Sequence, residues 1–586
     1  MADQTTALET SAPGGRSARQ WLSDALGGGA IGPALLIFLL VLLTVVPVMT
    51  VIVGSFRPLG LPLSPGWTFD NYIEVWSSSY TYKLVINTLI FSLGSTALAL
   101  VVAIALSWLL ERTDLPGRNW FRAAIIMPMV TPPLLLAMGW VLIMSPRIGI
   151  VPMALQPLIG PIGDWLNIYS MGGMIFIQGL AYVPTAVLIF SPVVRNMDPT
   201  YEEAAIVARA TRFQTLMRVS LPFLLPAMLS TATFFLIVGM LAFDVPSIIG
   251  IAGRVDVMST EIYQLMIPPA GPPNYGVSAA FNSSLFILLM LALVIYFRLT
   301  QSAERFATIS GKGFKATRFS LGKWKPAAVT FVVLYFLCGV VLPFIALLWA
   351  SVIPYFTGFD SSLFSKLSLS AYTAVTSNPR LWVATWNSVV IAAVASVGVA
   401  LLSLAIARVV IRRRGRFGAV IDAMAMLPLG IPHLTLGIAM VFLFFSVRVI
   451  PLYGTIWIIA IGHLIAYLPV ASRMMQSGMM QISNELEEAA HVSGASMLQN
   501  IRRIVLPLLK PATAALLVWM IVHSVREFSI AIMLQSGRNE VLSTFLYSYW
   551  ATSAPERAAA VAVLLMLALF VLVAVANRLT RQHNEA

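Results

Sequence analysis

Cysteine is nearly missing from this chain, and its scarcity excludes several kinds of chemistry. The 586 residues contain one cysteine, Cys338, which lies inside an apolar run. One thiol cannot form a disulfide framework within a single chain, and it cannot build a thiolate metal cluster. Disulfide-stapled folds and dithiol redox chemistry are therefore excluded.

A nucleotide-binding loop is also missing. The pattern Gly-x4-Gly-Lys-Ser/Thr, whose backbone cradles phosphates, occurs nowhere in the chain. The basic stretch Gly311-Lys312-Gly313 does not have the required spacing. We therefore expect no ATP hydrolysis by this chain, no cofactor bound to it, no catalytic residue and no metal site.

Charge is scarce as well. Charged residues make up 10% of the chain and hydrophobic residues 59%, whereas soluble domains are about one quarter charged. A helix crosses a hydrocarbon core with about 20 apolar residues. The sequence predicts an all-α integral membrane protein with twelve transmembrane helices, near residues 34–56, 84–110, 123–144, 171–194, 221–243, 277–297, 327–353, 383–407, 419–447, 453–471, 508–528 and 558–577.

The basic residues follow the predicted topology. The formal net charge is +13, but lysine and arginine concentrate in alternate loops, as the positive-inside rule requires. This distribution predicts that both termini are cytoplasmic. The basic loops contain Arg112, Arg118 and Arg122; Arg195, Arg209, Arg212 and Arg218; Arg298 to Lys325; Arg408 to Arg416; Arg473 to Lys510; and Arg578 and Arg581.

The chain repeats itself. The segment Glu203-Ala204-Ala205 recurs as Glu488-Ala489-Ala490, an offset of 488 − 203 = 285, and Leu221-Pro222 recurs as Leu506-Pro507 at the same offset. Six spans per repeat give both repeats the same orientation. We predict a flexible cytoplasmic N-terminus at 1–30, a first six-span unit at 31–300, a basic linker at 301–326 and a second unit at 327–586.

The offset between the halves changes along the chain. It is 300 for Asn87 and Asn387 and for Pro132 and Pro432, and 284 for Gly253 and Gly537. The first half therefore has 300 − 285 = 15 additional residues, which fall in a Pro- and Gly-rich outer loop. The prolines at 128, 132 and 133, and at 428 and 432, are expected to break their helices within the membrane.

Each repeated Glu-Ala-Ala segment has the signals of a short helix. Asp198 and Ser483 occupy positions of N-cap acceptors, and Pro199 suits the first helical position. The acidic pairs Glu202-Glu203 and Glu487-Glu488 follow, and carboxylates stabilise a helix N-terminus. Helix stabilisation alone would explain one copy, whereas two copies on one face favour a docking element for two identical partners.

The pattern Glu-Ala-Ala-x3-Gly-x9-Ile-x-Leu-Pro, seen here from Glu488 to Pro507, resembles the coupling loop of binding-protein-dependent ABC importer permeases. The chain looks like two such permease units fused, as in iron(III) permeases. The resemblance implies alternating access, two copies of an ABC ATPase that carry ATP and Mg, a solute-binding protein, and a bacterial inner membrane. It places ATPase coupling at Glu202, Glu203, Ala204, Ala205, Arg209, Leu221, Pro222, Glu487, Glu488, Ala489, Ala490, Gly494, Leu506 and Pro507.

The first loop departs from the pattern at one position. Arg209 stands where the second copy has Gly494. Glycine adopts a positive φ freely, whereas another residue does so at a cost of roughly 1 kcal/mol. We therefore expect the first loop to turn differently or to continue as a helix, and to bind its ATPase with unequal strength.

Polar residues within the spans are candidates for a pathway, since such groups usually face other helices or a water-filled cavity. Interhelical hydrogen bonding is the alternative explanation. For the adjacent Arg526 and Glu527, mutual pairing is expected rather than a gate. The pathway candidates are Asn87, Asn387, Gln178, His463, Asp244 and Glu527.

The sequence does not identify the substrate. The resemblance favours ferric iron or an iron complex, with thiamine, polyamine and phosphonate as alternatives. The scarcity of acidic residues in the spans argues for a chelated or transient cargo. An ion-coupled secondary transporter is the alternative of another class, because two parallel six-span repeats also describe that architecture.

Overall fold

The computed structural model describes residues 31–160, 167–197, 199–304, 319–356, 365–412, 415–447 and 451–584. Most of this part of the chain is helical, and its one β-bridge joins Thr113 to Phe319. The predicted all-α membrane class is confirmed. The predicted N-terminal segment 1–30, most of the linker and Asp198 lie outside the described residues.

The first half contains eleven described helices of eight or more residues, and five of them are long and apolar enough to span a membrane. The first, α1, contains a π-helical turn at Val41–Val45. The helices are α1 (Gly32–Ser55), α2 (Asp70–Ser77), α3 (Ser79–Arg112), α4 (Arg118–Ile126), α5 (Pro133–Met144), α6 (Ile150–Ile159), α7 (Met171–Asn196), α8 (Pro199–Val207), α9 (Leu221–Leu241), α10 (Met258–Met266) and α11 (Tyr275–Glu304).

The second half repeats this order with two differences: it has an additional short helix at Ser529–Leu534, and none of its described helices corresponds to α6. Its long helix α14 has the length of α3, 34 residues. The helices are α12 (Gly322–Ser351), α13 (Ser370–Thr376), α14 (Pro379–Arg412), α15 (Arg416–Met426), α16 (His433–Ser446), α17 (Ile456–Met480), α18 (Asn484–Val492), α19 (Lys510–Arg526), α20 (Ser529–Leu534), α21 (Leu542–Ala551) and α22 (Pro555–Asn584).

The number of spans agrees with the prediction, but three spans are bent. Among the described residues, nine helices are long and apolar enough to cross a membrane, and three bent pairs bring the count to twelve. The predicted spans at 123–144 and 419–447 are helix pairs bent by 97° and 105°. Each bend follows a 3-10 turn and a proline, Pro132 or Pro432, which supplies no backbone donor.

The first span of each half packs against the other half. The end of α1 lies on α16, where Thr50 donates to the Ala439 carbonyl over 3.2 Å. The end of α12 lies on α5, where Trp140 Nε1 donates to the Cys338 carbonyl over 3.1 Å. The halves are therefore interlocked around one apolar core, which residues of both halves form.

The insertion in the first half forms a helix. The loop after α5 contains α6, whereas the corresponding loop after α16 reaches α17 without a described helix. This places the additional residues where the change of offset predicted them. The offset of the flanking helices explains the result, since α5 and α16 begin 300 residues apart and α7 and α17 begin 285 apart.

Candidate functional site

The repeated Glu-Ala-Ala segments form two matched helices, α8 and α18, of nine residues each. Pro199 is the first residue of α8, as predicted. At α18, the Ser483 hydroxyl accepts a hydrogen bond from the Glu485 amide over 3.2 Å, the contact expected of a capping residue. We call α8 and α18 the coupling helices, after the role that the sequence resemblance predicts for them.

The two glutamates of α18 have different surroundings. Glu487 is buried, and its carboxylate accepts from Arg408 Nη1 at 3.1 Å, Arg412 Nε at 2.8 Å and Asn500 Nδ2 at 3.3 Å. Glu488, the next residue, is exposed. Glu487 therefore fixes the coupling helix to the end of α14, and Glu488 is left on the surface.

In each half, the last arginine of a long helix, Arg112 of α3 or Arg412 of α14, binds the chain segment that leads into the coupling helix. Arg412 Nη2 donates to the Ile482 carbonyl over 2.9 Å. Its counterpart Arg112 is fully buried and donates to the carbonyls of Val194 at 3.0 Å and Met197 at 2.6 Å. Met197 and Ile482 are equivalent, since 482 − 197 = 285. Both halves therefore hold the chain that enters the coupling helix in the same way.

The expectation that the first loop turns differently is wrong. Arg209 has φ +60° and Gly494 has φ +80°, so both residues adopt the left-handed conformation. The Ala210 amide donates to the Ala205 carbonyl over 2.9 Å, and the equivalent contact from Ala495 to Ala490 has the same length. The hydrogen bonds that close the helix outweigh the roughly 1 kcal/mol that a side chain adds there.

Each coupling helix is followed by a capping box that the repeat comparison did not use. The Thr211 amide donates to Gln214 Oε1 at 2.8 Å, and the Gln214 amide donates to Thr211 Oγ1 at 3.2 Å. Ser496 and Gln499 make the same pair of contacts at 2.8 and 3.3 Å. The sequence signal is Thr/Ser-x2-Gln at offset 285, which satisfies the first amides of the next turn.

The remaining coupling candidates lie on or near this surface. Ala204 and Ala489 are exposed, Ala205 is half-buried, and Ala490 is buried. Leu221 and Leu506 begin the helices that re-enter the bundle, and Pro222 and Pro507 are exposed at their first turns. The side chains of Glu202 and Glu203 lie outside the described part of the structure, although their backbone is helical.

The two halves meet at a seam, which we define by Phe243 and Asp244 of the first half and Phe528 and Ser529 of the second. The axis that relates the halves passes through it. Helices α9 and α19 end at equivalent residues, Leu241 and Arg526, since 526 − 241 = 285. Two further equivalent pairs touch: the rings of Phe243 and Phe528 stack 5.8 Å apart, and Ser529 Oγ donates to Asp244 Oδ1 over 3.0 Å. Equivalent residues meet each other only beside such an axis. Asp244 is therefore in the seam.

Glu527 lies beside the seam and anchors two histidines. Its carboxylate accepts from the amides of Ile530, at 2.9 and 3.1 Å, and Ala531, at 3.2 Å. It also lies 3.5 Å from His433 Nδ1 and 3.3 Å from His463 Nε2. His463 Nδ1 is 2.7 Å from the Ser524 hydroxyl. Glu527 thus caps α20 and holds imidazoles of α16 and α17.

The predicted pairing of Arg526 with Glu527 is wrong. Arg526 Nη1 instead donates to the Met129 carbonyl of the first half over 2.5 Å. Helix α19 ends at Arg526, and successive residues do not face each other, so the two side chains diverge. Arg526 therefore joins the halves across the seam, at the broken span between α4 and α5.

The matched asparagines lie elsewhere. Asn87 Nδ2 donates to the Asp256 carbonyl and Asn387 Nδ2 to the Glu540 carbonyl, both over 2.9 Å. Each asparagine therefore ties its long helix to the segment before α10 or α21, within its own half. Gln178, the counterpart of His463, is buried in the first half.

No three histidine, cysteine, aspartate or glutamate residues in the described part of the chain are placed to hold a metal ion. Sequence comparison missed His433 as a neighbour of Glu527, and it missed that His433 and His523 both contact Tyr467. The signal was the absence of counterparts: His433 and His523 correspond to Pro133 and Val238 in the first half. Polar residues that break a repeat within spans are candidates for specific contacts.

Twelve spans in two interlocked halves, a polar seam on their axis and one coupling helix per half define a membrane permease. Residues 103–305 and 400–584 match the family model described as binding-protein-dependent transport system inner membrane component. The matches cover more than half of the chain, which belongs to this family. The family assignment gives no support to the secondary-transporter alternative.

Similar proteins are known from several bacteria. The ferric transport system permease protein FbpB of Actinobacillus pleuropneumoniae is 26% identical over 528 residues, 88% of this chain and 73% of the relative. The putative ferric transport system permease protein FbpB 1 of Haemophilus influenzae is 26% identical over 523 residues, 88% and 79% of the two chains. A chain of a bacterial ABC transporter involved in the import of alginate superposes with a TM-score of 0.36 at 20% identity, over 50% of this chain and 97% of that one.

Proposed function

We propose that this chain forms the substrate pathway of an ATP-driven importer and couples to two copies of a separate ABC ATPase through α8 and α18. The main observation behind the proposal is that the two adjacent glutamates of α18 have different surroundings. Glu487 anchors the helix to α14 through two arginines, and Glu488 remains exposed. The exposed carboxylate can contact a docked partner. Because the helix is fixed to α14, a movement of that partner is transmitted to the spans.

Only a short segment of chain connects each coupling helix to the helix that ends at the seam. After each helix, a capping box and a π-helical turn at Leu216–Ser220 or Ile501–Val505 lead into α9 or α19. Both of these helices end at the seam. A movement of α8 and α18 toward each other would therefore act on Leu241 and Arg526, beside the axis.

We infer alternating access from the resemblance to importer permeases, and this layout supports it. ATP-driven closure of the ATPases brings the coupling helices together and opens the seam toward the outside, where a solute-binding protein delivers its cargo. Loss of ATP reverses the movement. The Arg526–Met129 and Ser529–Asp244 hydrogen bonds cross the seam, and both must break for a cargo to pass. In this proposal both termini and both coupling helices are cytoplasmic, and the membrane is a bacterial inner membrane.

The proposed cargo is ferric iron or an iron complex. Two relatives that match 88% of this chain are named as ferric transport permeases, and the seam has carboxylate and imidazole groups in an otherwise apolar bundle. Thiamine, polyamines and phosphonates remain alternatives of the same importer class. The absence of a three-residue metal cluster in the described chain agrees with a cargo that keeps some of its own ligands.

The test is ATP hydrolysis in liposomes that contain this chain with its cognate ATPase and binding protein. We expect loaded binding protein to stimulate hydrolysis at least tenfold, and Glu488→Ala or Glu203→Ala to abolish that stimulation. Glu74→Ala, which removes an exposed carboxylate of α2 far from the coupling helices, is the control. An unchanged response in the Glu488 and Glu203 variants, or no complex with the ATPase, would contradict the proposal.

A further inference from the structure

We propose that His433 and His523, both in the second half, contact the cargo, and that they take a transition-metal ion that still carries part of its own ligand shell. This inference rests on the proposed function, because it names the chemistry of the pathway inside that importer. It concerns two residues whose positions in the first half hold Pro133 and Val238.

The two histidines pack against the same residue, Tyr467, beside the seam. His433 is the first residue of α16, after the 105° bend, and 38% of its side chain is accessible. His523 lies in the last turn of α19, close to the Arg526 that reaches the first half. Their rings lie 5.4 and 5.7 Å from the ring of Tyr467, in T-shaped contacts.

The hydrogen bonds of both histidines orient the same nitrogen. His523 Nδ1 lies 2.9 Å from the Trp519 carbonyl, which can only accept, so Nδ1 carries the proton. His433 Nδ1 faces the Glu527 carboxylate at 3.5 Å. The lone pair of His523 is therefore on Nε2, and the contact of His433 turns its Nε2 away from Glu527. Metal-binding histidines have this arrangement, in which the second nitrogen donates to a carbonyl or carboxylate.

His463 is the internal contrast. It belongs to the same cluster, but its Nδ1 contacts Ser524 at 2.7 Å and its Nε2 faces Glu527 at 3.3 Å. The His463 side chain is 2% accessible, and its Nε2 is sealed within the protein. Neither Nε2 of His433 nor that of His523 is among the sealed atoms in the described part of the chain. We therefore assign a supporting role to His463 and the cargo contact to the Nε2 atoms of His433 and His523.

The ligand set determines the class of cargo. Imidazole binds iron and the later first-row metals, whereas two histidines cannot complete a coordination shell. The described residues contain no third ligand in position. A metal that arrives partly chelated needs only one or two replaceable contacts. Such weak contacts also suit transport, because a pathway must release what it binds.

The first experiment measures which histidines are open, in the full chain in detergent. Diethyl pyrocarbonate modifies accessible, unprotonated imidazole nitrogens, and mass spectrometry locates the products. We expect His433 and His523 to react at least tenfold faster than His463, and ferric citrate to slow their reaction specifically. Equal reactivity of all three histidines would overturn the proposal, and no protection by ferric citrate would overturn the choice of iron.

The second experiment measures transport in liposomes with the ATPase and binding protein. Glutamine in place of histidine keeps a hydrogen-bonding group near Nε2 but is a poor ligand for a transition metal. We expect His433→Gln and His523→Gln to lower iron uptake at least tenfold, while ATP hydrolysis stimulated by loaded binding protein stays within twofold. Val238→Ala, at the counterpart of His523, should leave both within twofold.

The outcomes distinguish failure of the histidine contact from failure of the proposed importer function. Normal uptake in both glutamine variants would refute the cargo contact and leave the importer intact. Parallel loss of uptake and stimulated hydrolysis would also refute it, since that pattern indicates a role in coupling or folding. If the unaltered importer moves another chelated metal instead of iron, and both glutamine variants lose that uptake, the choice of iron fails and the histidine site stands.

Discussion

Two adjacent glutamates in α18 have separate roles because one faces the bundle and the other faces away. Glu487 is buried against Arg408, Arg412 and Asn500, whereas Glu488 is exposed. The sequence could not separate them, since both are acidic residues in the first turns of one short helix. Their difference depends on Arg408 and Arg412, which come from a different helix.

Replacement of Glu487 should therefore cost stability, whereas replacement of Glu488 should cost coupling. Glu487→Ala leaves two partly buried guanidinium groups without their carboxylate, which we expect to destabilise the chain by about 2 kcal/mol. Glu488→Ala should change stability by less than about 0.5 kcal/mol. Denaturant unfolding in detergent measures both effects. Equal stability of the two variants would show that the Glu487 contacts contribute little.

The left-handed turn after each coupling helix gives a second prediction at this scale. Arg209→Gly should stabilise the first loop by about 1 kcal/mol, because glycine has no Cβ to strain at positive φ. Gly494→Ala should destabilise the second loop by a similar amount, since the added Cβ meets no atom within 4 Å and only the backbone conformation is strained. Thermal unfolding in detergent measures both changes.

Gly537 is the matched control for the glycine variant. A Cβ there also meets no atom within 4 Å, and its φ is not in the left-handed region. Gly537→Ala should therefore leave the unfolding temperature unchanged. If Gly494→Ala is equally harmless, the conformation at residue 494 is not strained by a side chain, and Arg209 carries no cost in the first loop.

At the scale of elements, the end of the linker is strapped to the end of α3. The Phe319 amide donates to the Arg112 carbonyl over 2.8 Å, and the Asp114 amide donates to the Phe319 carbonyl over 3.0 Å. Asp114 then accepts from the Leu321 amide at 2.8 Å and pairs with Lys325 at 2.9 Å. The second half therefore begins from a fixed point on the first.

This strap should respond to acid. The Leu321 amide, and then Lys325, lower the pKa of Asp114 below its ordinary value. A lowered pKa in the folded protein means that the ionised carboxylate stabilises the strap above about pH 5, and that this contribution disappears as the pH falls below about 4. Hydrogen exchange of the 319–325 segment, corrected for its intrinsic pH dependence, should show constant protection above pH 5 and a loss below about pH 4.

Asp114→Asn separates the charge from the hydrogen bond. The amide oxygen of asparagine can still accept from Leu321, but it cannot pair with Lys325 or titrate. We expect weaker protection of the segment at neutral pH and no additional loss in acid. A pH response that persists in Asp114→Asn would assign the effect to another group.

The sequence predicted the elements better than their contacts. The repeat located both coupling helices, and the prolines at 132 and 432 located two bends, because these signals are local. The direction of Arg526, the neighbours of Glu527 and the conformation of Arg209 depend on chain segments far away in sequence. The roles of the coupling and pathway residues themselves remain predictions.

At the scale of the whole molecule, the seam is where equivalent residues of the two halves contact each other. Asp244 and Ser529 are equivalent residues joined by a 3.0 Å hydrogen bond. In a Cys338→Ala background, Asp244→Cys with Ser529→Cys should form a disulfide across the seam under mild oxidation. A protease site inserted between residues 305 and 318 would show the bond, since cut halves would stay joined until reduction.

The disulfide should stop transport and leave assembly with the ATPase unchanged, because it closes the pathway without touching α8 or α18. Reduction should restore uptake to at least half of the unoxidised value. Each single cysteine variant, treated in the same way, is the control for the loss of Asp244 or Ser529. Unimpaired uptake by the oxidised double variant would show that the cargo does not pass through the seam.

The exchange of first spans has a consequence for how the protein is made. Thr50 on α1 bonds to Ala439, 389 residues later in the chain. At roughly 5–20 residues per second, Ala439 leaves the ribosome about 20–80 s after Thr50. Throughout that interval α1 is in the lipid without its final neighbour α16. Biogenesis of this protein therefore includes a waiting stage, in which a first helix already inserted in the bilayer stays open to chaperones, insertion factors and proteases until the second half arrives.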